Sequence, residues 1–232
     1  MIYSWGMKKI IRVWDLPIRL FHWCLLIGIA LSFVTVKIGG NAMEFHARVG
    51  YCVLTLIVFR VCWGLIGSHH ARFINFVPSP KGLLNYLSGK AKVGLGHNPL
   101  GALSVLALLF SIGLQAVTGL FANDDIAFEG PLAKHVSNET VALLTSIHHQ
   151  NEKVLIVLIV VHLCAIFYYQ KFKGENLIKP MLLGDKEIDP SEEAKYLPAD
   201  LGRASKDGAW QRGLALLVLS LIAVILGYLI TN

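Results

Sequence analysis

The chain has 232 residues, of which 55% are hydrophobic and only 16% charged, with a formal net charge of +6 and a mean hydropathy of +0.59. Ordinary soluble domains carry about one quarter charged residues, so the composition excludes a typical soluble domain and points to a membrane protein. The excess positive charge lies between apolar blocks, where anionic lipid headgroups account for it, and gives no support to a nucleic-acid partner.

A helix needs about 20 mostly apolar residues to cross a bilayer. Five runs qualify, at residues 17–36, 45–66, 100–122, 149–169 and 210–230. Their apolarity is continuous rather than alternating, which argues for helices over a transmembrane barrel. The expected fold is an all-α integral membrane protein: a four-helix transmembrane bundle within residues 1–173, a polar cytoplasmic linker over 174–209, and a fifth transmembrane helix at 210–230.

The first run follows Lys8, Lys9 and Arg12, as a secretory leader would. It carries Arg19, His22 and Trp23 near its start, is long enough to span, and lacks a small-residue cleavage pattern, so it reads as a retained helix. The second connection, FINFVPSPKGLLNYLSGK, mixes aromatics, leucines and lysines after a proline pair and reads as a short helix lying in the membrane interface. Basic residues favour the cytoplasmic side of short loops. Lys8, Lys9, Arg12 and Arg19 at the N-terminus, Arg72, Lys81, Lys90 and Lys92 in the second connection, and Lys171, Lys173 and Lys179 in the fourth are therefore expected inside. The third connection, with Asp124, Asp125, Glu129 and Glu139 against Lys134, is expected outside. These charges imply a membrane crossed several times with the N-terminus in the cytoplasm, and the family resemblance given below implies that it is a bacterial inner membrane.

Cys24, Cys52, Cys62 and Cys164 all fall within the spans and form no C-x-x-C pair. This removes thioredoxin-like chemistry and covalent c-type haem attachment, leaving the cysteines as small packing residues between helices.

Of nine histidines, His69, His70, His97 and His135 fall in connections. His22 lies near the inner end of the first span, His46 opens the second on the outer side, His148 or His149 opens the fourth there, and His162 lies deep toward the inside. His148 and His162 are 14 residues apart, which on a helix separates their side chains by about 40° in direction and about 21 Å along the axis. His149 is 13 residues from His162 and faces about 140° away. Two depth-matched pairs follow, His46 with His148 and His22 with His162. An imidazole pair across a bundle core is the axial ligand set of a six-coordinate b-type haem. Zinc is disfavoured, because each pair offers only two ligands. Gly50, one turn beyond His46, would make room for a porphyrin. Arg60, 14 residues after His46, returns to the same face at the inner depth, where a propionate would neutralise it.

The segments RVWDLPIRLFHW, EFHARVGY, FRVCWGLIGSHHARFINFVPSP, GHNPLGAL and LQAVTGLF, with the IH to VHL spacing, resemble the bacterial di-haem cytochrome b561 superfamily. The branch most similar contains the cytochrome b subunits of nickel-iron hydrogenases and their stand-alone relatives. The resemblance covers about residues 8–173 and implies two b haems, with His22, His46, His148 and His162 matching the family's ligand histidines. It departs where the family often has HE and this chain has His148–His149. It also implies electron transfer between quinone and a redox partner, such as a periplasmic c-type cytochrome or a hydrogenase subunit. No quinone site is identifiable. His135, Lys134 and His149 are candidates near the outer pair, each more simply read as a solvent-facing loop residue. The competing class is a transporter of protons or metal ions lined by histidine, with Arg60 and Gln115 as its polar wall; the chain shows no inverted repeat or broken helix pair in its favour.

Overall fold

The computed structural model describes residues 8–124 and 128–231. Asp125 of the acidic connection lies outside the described residues. In chain order the elements are β1 (Lys9–Arg12), α1 (Leu16–Ile38), α2 (Ala42–Ile66), α3 (Phe73–Phe76), α4 (Pro80–Leu87), α5 (Pro99–Gly119), α6 (Asn138–Phe172), α7 (Ile178–Leu183), β2 (Asp185–Ile188), α8 (Pro198–Leu201) and α9 (Ala209–Thr231). Short 3-10 turns occupy His69–Ala71, Ala133–His135 and Pro190–Lys195.

Five of these helices, α1, α2, α5, α6 and α9, are long and apolar enough to cross a membrane. Their ends are set by local chemistry. Asp15 caps α1, its Oδ1 accepting from Ile18 N at 3.0 Å. Asn98 caps α5 by accepting from Gly101 N at 2.7 Å, with Pro99 at the first helical position. Gly39 and Gly40, at φ of 67° and 54°, turn the chain between α1 and α2 in a conformation that costs glycine little. The helix α6 begins well before the expected 149, because Ser137 caps its first turn through Thr140 N and the polar stretch after it continues the same helix. With 35 residues it is about 52 Å long, well beyond a hydrocarbon core of about 30 Å.

The chain packs as two compact units. The first comprises Met1–Arg19, Trp63–Val105 and Leu163–Gly213. In it β1 and β2 pair antiparallel with Lys9 opposite Ile188 and Arg12 opposite Asp185. Asp15 is fully buried and accepts from Trp63 Nε1 at 3.0 Å, so the carboxylate is paired by donors rather than stranded. Asp207 accepts from Arg12, Arg212 and the backbone N–H of Leu16 at the start of α1. The segment 174–209, expected as a linker, thus carries α7, β2 and α8. It is held to residues nearly 200 positions away: Ser205 Oγ, for one, donates to Val13 O at 2.6 Å.

The second unit comprises Leu20–Cys62, Leu106–His162 and Leu214–Asn232. Its buried side chains include Leu25, Val53, Ile57, Ile112, Leu155 and Ile222. Gly28 brings α1 close to α2, since a Cβ there would lie 2.9 Å from Val53 Cγ2. A buried polar link joins α5 to α6: Ser111 Oγ donates to Asn151 Oδ1 at 3.0 Å, and Asn151 Nδ2 donates to Gln115 Oε1 at 2.7 Å. The cysteines depart from the packing role expected of them. Cys24, Cys52 and Cys164 are exposed and Cys62 is half-buried, with all four as free thiols. Their apolar neighbours made them look internal, but a lipid-facing surface selects the same side chains as a core.

Candidate functional site

His46 sits in the second turn of α2 with its Nδ1 3.0 Å from Ser32 O and 3.1 Å from Thr35 Oγ1, both on α1. His148 stands in the same relation to α5, its Nδ1 3.0 Å from Gln115 O and 3.2 Å from Thr118 Oγ1. Each threonine hydroxyl donates back along its own helix, Thr35 to Leu31 O at 2.8 Å and Thr118 to Leu114 O at 2.7 Å. A carbonyl can only accept, and a hydroxyl whose hydrogen is committed offers only its lone pairs. Nδ1 of both histidines must therefore carry the proton, which leaves each Nε2 with its lone pair. Metal-ligating imidazoles show this arrangement, the second ring nitrogen donating to a carbonyl that fixes tautomer and ring orientation.

His46 and His148 line one cavity, and the two rings lie close enough to act on each other electrostatically. Gly50 lines it as well, and a Cβ at Gly50 would meet nothing within 4 Å, so a side chain there would project into open space. Gly119 serves the histidine directly. A Cβ at that position would stand 3.0 Å from His148 Cε1, so its absence lets the ring lie flat against α5. His149 also borders the cavity but has no corresponding bond: its ring stands edge-on to that of His148 with centroids 6.2 Å apart.

His22 and His162 are likewise within electrostatic reach of each other. His22 Nδ1 is buried with no hydrogen-bond partner among the described residues. Arg60 is buried on α2. Gln115, expected as part of a polar wall under the transporter reading, lines the cavity of His46 and His148 and accepts from Asn151 Nδ2 through its Oε1.

Sequence reasoning missed Ser32, Thr35, Thr118, Gly119 and Asn151. A signal for the first three existed: Ser32-x-x-Thr35 and Gln115-x-x-Thr118 both end in Val-Thr, and a threonine inside an apolar helix is a candidate acceptor. It also missed Glu152, which lines the same cavity as the only carboxylate among residues 140–174.

Residues 13–184 match the family model described as prokaryotic cytochrome b561. The chain belongs to that family. A probable Ni/Fe-hydrogenase B-type cytochrome subunit of Azotobacter chroococcum is 26% identical over 210 residues, covering 75% of this chain and 87% of the relative. The corresponding protein of Rhizobium leguminosarum is 21% identical over 80% of this chain and 92% of its own length. A third, from Azotobacter vinelandii, is 30% identical over 47% of this chain and 58% of the relative. Membership makes this chain a b-type cytochrome that carries haem b and transfers electrons, built as a multi-pass membrane bundle.

A third histidine group lies in the first unit. His69 Nε2 donates to Asp200 Oδ1 at 3.2 Å while its Nδ1 accepts from Asn75 Nδ2 at 3.1 Å, and His70 Nε2 donates to Arg203 O at 2.9 Å. The ligand atoms of His69, His70 and Asp200 lie within 4.8 Å of one another. Their hydrogen bonds tie the turn after α2 to the segment before α9.

Proposed function

We propose that this cytochrome b561 family member holds two b haems, one between His46 and His148 and one between His22 and His162, and conducts electrons through the bilayer between quinone and a redox partner. The observation that carries the reading is the matched pair of Nδ1 bonds at His46 and His148, which leaves two neutral nitrogens beside one cavity. Gly50 and Gly119 fit a flat macrocycle, because each withholds a side chain where a ring must pass or rest. The unpartnered buried nitrogen of His22 and the buried charge of Arg60 support the second pair, Arg60 meeting a propionate. Haem bound at these positions supplies a one-electron couple. The protein residues fix imidazole tautomer and exclude water with Ile112, Val53 and Leu155.

The relatives are named as hydrogenase cytochrome subunits, and a hydrogenase is accordingly the first partner to test. Asp124 and Glu129 would favour a basic partner such as a periplasmic c-type cytochrome. The basic connections support an inner-membrane protein with its N-terminus in the cytoplasm.

The test is a reduced-minus-oxidised spectrum with a pyridine haemochrome count on the detergent-purified protein. Two haems per chain are expected, and none after growth with ample haem would end the reading. His148→Ala is expected to lose one haem and His149→Ala none; the reverse would move the ligand to His149. Co-purification of an iron-sulfur subunit in equal amount would identify a hydrogenase anchor.

A further inference from the structure

The turn after α2 and the segment before α9 bring together a set of ligating side chains apart from the four histidines proposed for haem. His69, His70 and Asp200 each offer a ligand atom within 4.8 Å of the other two. His70 and Asp200 are buried, and the His69 side chain is 14% exposed, which leaves the group one edge open to water. Each of the three is oriented by a hydrogen bond from outside the cluster. Asp200 Oδ2 accepts from Leu95 N at 3.1 Å, His70 Nε2 donates to Arg203 O at 2.9 Å, and His69 Nδ1 accepts from Asn75 Nδ2 at 3.1 Å. Outer bonds of this kind fix the ligands of a metal. They leave His69 Nε2 and Asp200 Oδ1 facing each other at 3.2 Å. Two ligands of a tetrahedral zinc, bound at about 2.0–2.1 Å, stand about 3.3 Å apart, so this pair already has the spacing that a metal requires. A carbonyl only accepts, so His70 carries its proton on Nε2 and its lone pair on Nδ1. Among the described residues no hydrogen bond occupies that lone pair.

We infer that His69, His70 and Asp200 form a zinc site that fastens the turn after α2 to the chain entering α9. Two imidazole nitrogens and a carboxylate oxygen suit a borderline divalent cation, whereas Mg²⁺ and Ca²⁺ take oxygen ligands. Three protein ligands leave a fourth position for water, at the edge that His69 keeps open. Without the ion, His69 donates from Nε2 to Asp200 Oδ1 while its Nδ1 accepts from Asn75. Zinc takes the place of that proton, which moves to Nδ1, and the Asn75 amide turns over to accept it with Oδ1. His69 and Asp200 are 131 positions apart, so one ion joins parts of the first unit that the sequence separates. An ion bound by the folded chain and not by the unfolded one stabilises the fold by mass action. The site stands apart from the haem pairs, and the inference holds whether the bundle carries one haem or two.

The experiment uses the full chain with its haem in detergent, free of any polyhistidine tag, treated with EDTA and then titrated with zinc chloride. Calorimetry, the thermal midpoint and zinc K-edge X-ray absorption are recorded for wild type, His69→Gln and Asp200→Asn. Both variants keep a hydrogen-bonding group of similar reach, so a tie made of hydrogen bonds survives them while a metal ligand is lost. Wild type is expected to bind one zinc per chain, with nitrogen and oxygen at about 2.0–2.1 Å, ring scattering from two imidazoles and a higher thermal midpoint. Each variant should bind zinc at least about a hundredfold more weakly, the upper end of what losing even an outer partner of a ligand costs. A wild type that binds no zinc would overturn the inference, as would undiminished binding in either folded variant. A sulfur shell at about 2.3 Å would assign the ion to the cysteines and overturn it too. Where a variant loses helix content or haem, the wild-type absorption spectrum decides, because a shell without two imidazoles is not this site.

Discussion

Thr118 offers its oxygen to His148 Nδ1 at 3.2 Å only because its own hydrogen is committed to Leu114 O, 2.7 Å away. The same holds for Thr35 and His46. Replacing Thr118 by Val keeps the shape and the Gln115 carbonyl but removes one of two acceptors. The expected effect is a loss of about 1 kcal/mol at the His148 imidazole with haem retained. Haem affinity should fall by up to about tenfold, at the low end for an outer-shell partner, and the electron paramagnetic resonance signal of the haem should shift. An unchanged signal and affinity would mean that the carbonyl alone orients the ring.

Gly50 faces open space within the cavity. Gly50→Leu should therefore be tolerated by the unloaded fold, because its Cβ meets no protein atom within 4 Å, while the side chain competes with the macrocycle for volume. One haem of two should be lost with helix content unchanged by circular dichroism. Full haem occupancy in this variant would show that the porphyrin lies elsewhere.

Asp207 draws Arg12, Arg212 and the N-terminus of α1 onto the chain just before α9. Burial raises its pKa, but the Arg212 bond, the Leu16 N–H and Arg12 outweigh it, and the net pKa lies below the ordinary carboxylate value. Asp207→Asn removes the charge, leaving Arg12 with Asp185 as its carboxylate partner and Arg212 with none among the described residues. The expected destabilisation is about 1 kcal/mol, because both guanidinium partners are partly exposed to solvent, read as a lower thermal midpoint in detergent. The depressed pKa adds stability above the unfolded carboxylate value that is lost as pH falls through the folded one.

His70 is buried between the turn after α2 and Arg203, and burial holds its pKa below the ordinary histidine value, with Asp200 and the Arg203 carbonyl pulling the other way. The folded state then binds fewer protons than the unfolded state once the pH drops below about 6.5. Stability is thus full above that pH and declines as the pH falls toward the folded value. Amide protection across 198–206, measured against intrinsic exchange at each pH, should fall as the pH drops below about 6.5, and His70→Gln, which still donates to Arg203 O, should flatten that dependence. Protection that is independent of pH in the wild type would show that His70 does not anchor this segment.

The sequence alone carried the five spans, because a helix in lipid must satisfy its backbone within its own 20 residues and so announces itself locally. It also carried the expectation of a depth pairing of the histidines, in which His148 shares a face with His162 better than His149 does, since 3.6 residues per turn fixes direction without reference to any neighbour. Tertiary structure alone decided what those histidines touch. Ser32 and Thr35 meet His46, and Gln115 and Thr118 meet His148, across helix pairs whose rotation no local pattern encodes. The fate of 174–209 was equally hidden, because its partners on β1 and around His70 lie more than 100 residues away. The cysteines show the limit from the other side. Apolarity places a residue in the membrane, but lipid and protein core are both apolar, and only packing distinguishes the face that meets a helix from the face that does not.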